Sequence, residues 1–302
     1  MLMPDSPRAP PTIPSPQRPA RRRAGRWTAL AVSLTLASTL GCASLDQQQR
    51  RWIFQPSDRA WPGALHAAQG MDDVWIGFRS AQTGQDVLLH GLWLDQDDPR
   101  APLLLVLHGA RWDVRGSANR MRRLHALGFA VLGIDYRGFG RSTSQLPSEE
   151  LAYEDARAAW DWLARRHPLR PRYIFGHSLG GAIAVHLASE VQDERGLIVE
   201  GTFTSIPDVV RSYRWGWLPV GPLITQRFDA AGRIERVQSP VLVVHGAQDR
   251  TVPPELGRAL YERATLPKRW LLVDGASHHN ANSVGLPMVR EAVRELFGLQ
   301  PP

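Results

Sequence analysis

The stretch Gly176-His177-Ser178-Leu179-Gly180-Gly181 constrains this chain more than any other. The stretch Arg172-Tyr173-Ile174-Phe175 before it, apolar after its arginine, reads as a short strand. The run Ala182-Ile183-Ala184-Val185-His186-Leu187-Ala188 after it reads as a helix. A G-x-S-x-G between a strand and a helix is a nucleophile elbow, a sharp turn that lifts a serine hydroxyl above a sheet. Side chains two residues before and after that serine would collide where strand and helix converge, so glycine is needed at both places.

The surrounding pattern supplies the sheet that such a turn requires. Val74–Phe78 and Val87–Leu94 read as paired antiparallel strands with Thr83-Gly84 in the turn. Leu103–Leu107 is continuously apolar, as expected of a strand buried on both faces. Further strands are expected at Ala130–Ile134, Leu197–Val199, Val241–Val244 and Trp270–Val273. Helices are expected at Ser117–Leu127, Ser148–Arg166, Pro254–Ala264 and Val289–Phe297. This alternation predicts an α/β fold with a doubly wound, mostly parallel sheet. Pro207–Arg233 has no clear period and reads as a small lid inserted between strands.

The formal net charge of +7 belongs mainly to a leader. The first 26 residues carry Arg8, Arg18, Arg21, Arg22, Arg23 and Arg26 against Asp5 alone, so the remainder is close to balanced. That distribution argues against a nucleic-acid partner. Proline-rich residues 1–20 are expected to be disordered. Arg21–Arg26 followed by the uncharged run Trp27–Leu40 has the form of an export signal, and 14 residues are too few to span a bilayer. Cys42, the only cysteine, follows that run and excludes an internal disulfide. Its setting resembles the lipobox of bacterial lipoproteins, although Thr39 stands where that family prefers an aliphatic residue. The resemblance implies lipid on Cys42, a membrane tether, and a place in the cell envelope at the outer membrane facing the periplasm. A buried thiol, or a signal peptide cut nearby, is the competing reading. The expected organisation is a leader over 1–41, a tether and lead-in over 42–70, and one domain over 71–302 with its lid at 207–233.

A serine nucleophile needs a base, an acid to orient that base, and donors for the oxyanion. Catalytic groups of open parallel sheets gather at the carboxyl ends of strands. Asp249 lies just beyond the strand at 241–244, and His278 just beyond that at 270–273, in the order serine, acid, histidine. Glu200, one strand earlier, is a second candidate acid, and His279 a second candidate base. His108, His177 and His245 read as structural. The sequence has no H-E-x-x-H, no cysteine cluster and no phosphate-binding glycine loop, so neither metal nor nucleotide cofactor is implied.

Taken together, His108-Gly109-Ala110, Asp135-Tyr136-Arg137-Gly138-Phe139-Gly140-Arg141-Ser142, the elbow, His245-Gly246-Ala247-Gln248-Asp249-Arg250-Thr251-Val252-Pro253 and Gly275-Ala276-Ser277-His278 resemble the α/β-hydrolase superfamily. Within it the chain most resembles serine aminopeptidase-like and monoglyceride lipase-like hydrolases. The resemblance implies Ser178 as nucleophile, Asp249 as acid, His278 as base, and the backbone N–H groups of Ala110 and Leu179 as the oxyanion hole. It implies a cofactor-free serine hydrolase acting on an ester or related acyl bond of a small or lipid-like substrate. Peptide cleavage by the same residues, or a degenerate envelope binding module, remain open. The lid residues Tyr213, Trp215, Trp217, Leu218 and Leu223 are expected either to line an acyl pocket or to anchor the lid.

Overall fold

The computed structural model describes residue 41 and residues 43–213 and 216–299. The leader, Cys42 and Trp215 lie outside the described residues. Residues 46–302 form one compact unit. No helix among the described residues is long and apolar enough to cross a membrane.

Eight strands form a single sheet in the order β1-β2-β4-β3-β5-β6-β7-β8. Strands β1 (Asp72–Arg79) and β2 (Asp86–Leu94) pair antiparallel, and β2 runs antiparallel to β4 (Ala130–Ile134). From there β4, β3 (Leu103–Leu107), β5 (Arg172–His177), β6 (Glu194–Glu200), β7 (Val241–Gly246) and β8 (Lys268–Val273) are all parallel. All five residues of β3 and of β4 are buried, as are all six of β7. Helices on both faces account for those continuous apolar runs.

The two faces hold separate apolar clusters. One cluster contains Leu103, Leu105, Ile174, Ala182, Ile183 and Phe203, beneath helices α4 (Glu149–Arg166) and α5 (Leu179–Glu190). The other contains Leu104, Val106, Phe175, Met121 and Leu124, beneath α3 (Ala118–His125) and α9 (Leu286–Phe297). Strand residues alternate between the clusters because successive side chains point to opposite faces. Helix α7 (Pro254–Arg263) completes the crossover from β7 to β8.

Three segments are more ordered than the sequence suggests. Residues 43–54 form a helix, α1, and Ala64–Ala68 form α2, where a polar lead-in was expected from residue 47. Phe54 is wholly buried against Phe139 and Phe228. Asp46 and Gln49 on α1 clasp the lid. Thr225 donates to both, and the Gln49 side chain donates to the Leu223 carbonyl. The lid itself opens with α6 (Ile206–Ser212), whose N-cap Ser205 accepts from the Asp208 N–H. That Ser-x-x-Asp cap, with proline in the first turn, is a helix-start signal visible in the sequence. A further short helix, α8 (Ala281–Val284), precedes α9.

Helix α5 packs closely against the sheet. A Cβ on Gly180 would overlap the carbonyl oxygens of Leu107 and His108, which are backbone and have no room to yield. Gly180→Ala is therefore expected to cost about 3 kcal/mol or more, roughly 6–12 °C in melting temperature for a domain of this size. Gly221→Ala in the lid, where a Cβ meets nothing within 4 Å, is the control and should leave the melting temperature near wild type. Thermal denaturation of both variants checks the pair.

Candidate active site

Ser178 sits between β5 and α5 with φ 54° and ψ −121°, a conformation that costs an ordinary residue about 1–3 kcal/mol. Its neighbours hold it there. The Ser178 N–H donates to the Glu200 carbonyl at 2.9 Å, and the Thr202 hydroxyl donates to the Ser178 carbonyl at 3.0 Å. A Cβ on Gly109 would lie 3.1 Å from the Ser178 Cβ, so the loop after β3 also approaches closely.

Three expected residues come together at the carboxyl ends of β5, β7 and β8. The Ser178 Oγ lies 3.0 Å from Nε2 of His278, and Nδ1 of His278 lies 2.7 Å from Oδ2 of Asp249. A carboxylate only accepts, so Nδ1 carries the ring proton and Nε2 is left to accept from the serine hydroxyl. The N–H groups of Thr251 and Val252 donate to the other oxygen of Asp249, each at 2.8 Å. Nε2 of His245 lies 3.3 Å from Oδ2 and 3.0 Å from the Val252 carbonyl. Burial pushes the Asp249 carboxyl up, but the hydrogen bonds from His245, His278 and Val252 outweigh it and hold the pKa well below the usual carboxylate range. Such an array can deprotonate a serine hydroxyl as it attacks a carbonyl.

The other candidates have different partners. Glu200 is 1 % exposed, and its carboxylate accepts from Arg120 at 3.0 Å. His279 is exposed and stacks edge-on against His278, with ring centroids 5.1 Å apart. The backbone N–H groups of Ala110 and Leu179 have no hydrogen-bond partner among the described residues, which leaves both free to act as donors. His108 is buried between Tyr136 and Phe139, and burial lowers its pKa. The Asp135–Ser142 stretch braces this region from beneath. Tyr136 donates to the His108 carbonyl, Asp135 accepts from the Val114 N–H at 2.6 Å, and Arg137 pairs with buried Asp155.

A cavity of about 800 Å³ opens over Ser178. Ile53 of α1, Phe203, and Ile206, Val209 and Val210 of α6 form an apolar wall. Of the lid aromatics, Tyr213 lines the cavity, but Trp217 does not. It lies beyond the end of α6, in a turn that leaves its side chain 75 % exposed. Trp215 is outside the described residues.

Several contributors went unrecognised in the sequence. His177 was read as packing alone, yet its Nε2–H donates to the His278 carbonyl at 2.9 Å and anchors the loop that carries that ring. Burial, followed by the nearby Arg120 and His278, drives the His177 pKa well below its ordinary value, so it stays neutral. Arg111 and Trp112 both have positive φ, at 65° and 49°, in the loop after Ala110. Arg120 and Arg123, one turn apart on α3, both line the cavity. Their i, i+3 spacing beside the apolar face of α3 was the available signal.

This sheet order, with a serine on a strained turn above it, defines the α/β-hydrolase class. A family model described as serine aminopeptidase, S33, matches residues 97–229. An uncharacterized protein of Mycobacterium tuberculosis is 34 % identical over 253 residues, covering 83 % of this chain and 87 % of that protein. The rat lysophosphatidylserine lipase ABHD12 is 31 % identical over 240 residues. That match covers 70 % of this chain but only 56 % of the rat protein's length. The Pyrococcus furiosus esterase Pf2001 superposes with a TM-score of 0.63 at 20 % identity, over 80 % of this chain and 96 % of the esterase. At that identity the likeness shows the fold alone. The chain belongs to the α/β-hydrolase superfamily.

The hydrogen bonds to Asp249 carry a stability prediction. A carboxyl whose folded pKa lies below its unfolded value, near 3.8, stabilises the fold above that pH. The contribution fades as pH falls through the folded pKa. The stability gap between wild type and Asp249→Asn should be fully open near pH 6 and should narrow as pH falls below about 4. Denaturant titration across this range measures it; a gap that widens on acidification would contradict the bonding described.

Proposed function

We propose that this protein is a serine hydrolase of carboxylic esters. Ser178 attacks the ester carbonyl while Nε2 of His278 takes its proton. The tetrahedral oxyanion is held by the N–H groups of Ala110 and Leu179. His278 then protonates the departing alcohol, and water, activated by the same ring, releases the acid from the acyl-serine. Asp249 keeps His278 in the required tautomer and stabilises the imidazolium. The observation that carries this reading is the continuous Ser178–His278–Asp249 hydrogen-bond chain beneath an open cavity. An unbroken chain also counts against a degenerate binding module. The lipase name among the sequence relatives favours an ester.

The family description raises a second reading, aminopeptidase activity. Such an enzyme must bind a protonated amine. The charged residues that line the cavity are Arg111, Arg120 and Arg123 with Asp113, and Asp113 is engaged by Arg115. That charge disfavours an ammonium group and supports the ester reading.

Ser178→Ala should lower ester hydrolysis about 10⁴-fold or more and abolish fluorophosphonate labelling, with the fold retained. His278→Ala should match it, while His279→Ala should keep most of the activity. A panel of p-nitrophenyl esters and aminoacyl-p-nitroanilides separates the two readings. Turnover confined to the anilides would replace the ester assignment, and labelling that persists in Ser178→Ala would overturn the nucleophile.

The proposed location is the cell envelope, with the mature chain beginning at a lipid-modified Cys42. Several buried acyl chains, at about 0.8 kcal/mol per CH₂, would hold such a protein at a membrane. Expressed with its own leader in a diderm bacterium, the protein should partition into detergent, and Cys42→Ser should not. Intact mass of the mature form decides: an unmodified N-terminus at another residue removes the lipoprotein claim and leaves the hydrolase reading intact.

A further inference from the structure

The two rims of the cavity differ in chemistry. On the face of the sheet covered by α5, the rim is apolar, built from Phe203, Ile206, Val209 and Val210. On the opposite face, α3 brings Arg120 and Arg123 to the rim, and Arg111 joins them from the loop after β3. Ser178 stands between, at the carboxyl edge of the sheet.

Arg120 is the informative member. Its side chain is 9 % exposed, yet the only partner among the described residues is Glu200, reached through one terminal nitrogen. Its Nε is buried without a hydrogen-bond partner among the described residues. A buried guanidinium with unused donors is costly unless something else occupies them. Arg123 spends its Nε on Asn282, and Arg111 spends its Nε on Gln55. No bond to the terminal nitrogens of either is present among the described residues. Two acids reach the same region, and both are engaged. Glu200 holds Arg120, and Asp113 accepts from the backbone and side chain of Arg115. Positive charge therefore exceeds negative at this rim. Its mutual repulsion is felt at Arg123, whose pKa is lowered by burial and then by Arg120.

The position of this charge relative to the nucleophile is fixed by the backbone. The Glu200 carboxylate holds Arg120, while the Glu200 carbonyl accepts the Ser178 N–H at 2.9 Å. Glu200 thus ties the guanidinium, through its side chain, to the serine, through its backbone. If the acyl chain occupies the apolar rim, the alcohol of the ester leaves toward the arginines.

We propose that Arg111, Arg120 and Arg123 form a subsite for one anionic group, a phosphate or a carboxylate, carried on the alcohol side of the ester. Arginine forks suit both groups, since each offers two coplanar oxygens to paired N–H donors. The inference rests on Ser178 as nucleophile. It narrows the substrate to amphiphiles with an apolar acyl chain and an anionic alcohol.

The test compares soluble esters of one acyl chain: hexanoyl-glycerol, hexanoyl-glycerol 3-phosphate and the hemisuccinate of hexanoyl-glycerol. The wild-type enzyme should favour at least one anionic ester over the neutral one by about tenfold in kcat/KM, mostly through KM, as expected for one charge-assisted contact. Which anionic ester leads distinguishes phosphate from carboxylate. Arg123→Gln should collapse that ratio toward one. Arg120→Gln alone strands Glu200, so Arg120→Gln/Glu200→Gln is the second variant and should collapse it also. Fluorophosphonate labelling reports whether each variant retains a folded, reactive site. A wild-type preference for the neutral ester overturns the subsite, as does an unchanged ratio in both variants with labelling intact. Competitive inhibition by inorganic phosphate, at concentrations matching the KM of the phosphate ester, would mark a free-anion site and overturn the placement on the substrate. If the wild-type enzyme neither labels nor hydrolyses any ester, the nucleophile reading has failed. The subsite is then judged by calorimetry on wild type, where tighter binding of the hexanoyl phosphate ester than of the neutral ester sustains it and equal binding removes it.

Discussion

The site depends on one packing constraint, the close approach of α5 to β3 and β5. Cβ atoms on Gly176, Gly180 and Gly181 would meet backbone or the Thr202 side chain at less than contact distance. Without those three hydrogen side chains the helix would stand further from the sheet, and Ser178 would lose the positive-φ turn that raises its hydroxyl. The strain of that turn is carried by the sheet, through the bonds from Ser178 and Thr202 at the end of β6. Everything else at the site is measured from this point: the loop of Gly109, the ring of His278 and the carboxylate of Glu200.

Around that point the histidines divide the labour by what their nitrogens touch. His278 bridges Ser178 and Asp249, His177 holds the His278 carbonyl, and His245 approaches the same Asp249 oxygen that His278 holds. Gly201 belongs to the same set. Its φ is +59°, and a Cβ there would press to 3.3 Å on the His278 ring. The ring is therefore confined by backbone, carboxylate and a neighbouring imidazole at once, which is the kind of pre-organisation that a proton-transfer group requires.

Most of the sheet was legible because buried parallel strands announce themselves as unbroken apolar runs, as in Leu103–Leu107. The serine, aspartate and histidine were legible because each directly follows such a run. What escaped were contributions that depend on distant pairing. Nothing near Glu200 in the chain marks Arg120 as its partner, 80 residues away. The polar surface of α1 concealed Phe54, which is buried only because Phe139 and Phe228 lie beneath it. Trp217 was expected at the pocket on the strength of its size and apolarity, but the turn after α6 faces it outward. Aromatic content alone does not report direction. The Ser205 cap of α6, by contrast, was present in the sequence, with Pro207 in the first turn, but no clear helical period follows it.

Helix α1 supplies part of the cavity wall through Ile53 and grips the lid through Asp46 and Gln49. The segment that precedes the first strand is thereby also a piece of the cavity wall. Evolution can exchange a leader freely only where the seam falls outside the folded unit. Here the folded unit already includes Asp46, some 25 residues ahead of the first strand. A recombination that grafted a foreign segment at the start of β1 would keep Ser178, Asp249 and His278 and still leave an unlatched lid and an open-sided cavity. Modularity in this protein has its boundary in the middle of what looks like a linker.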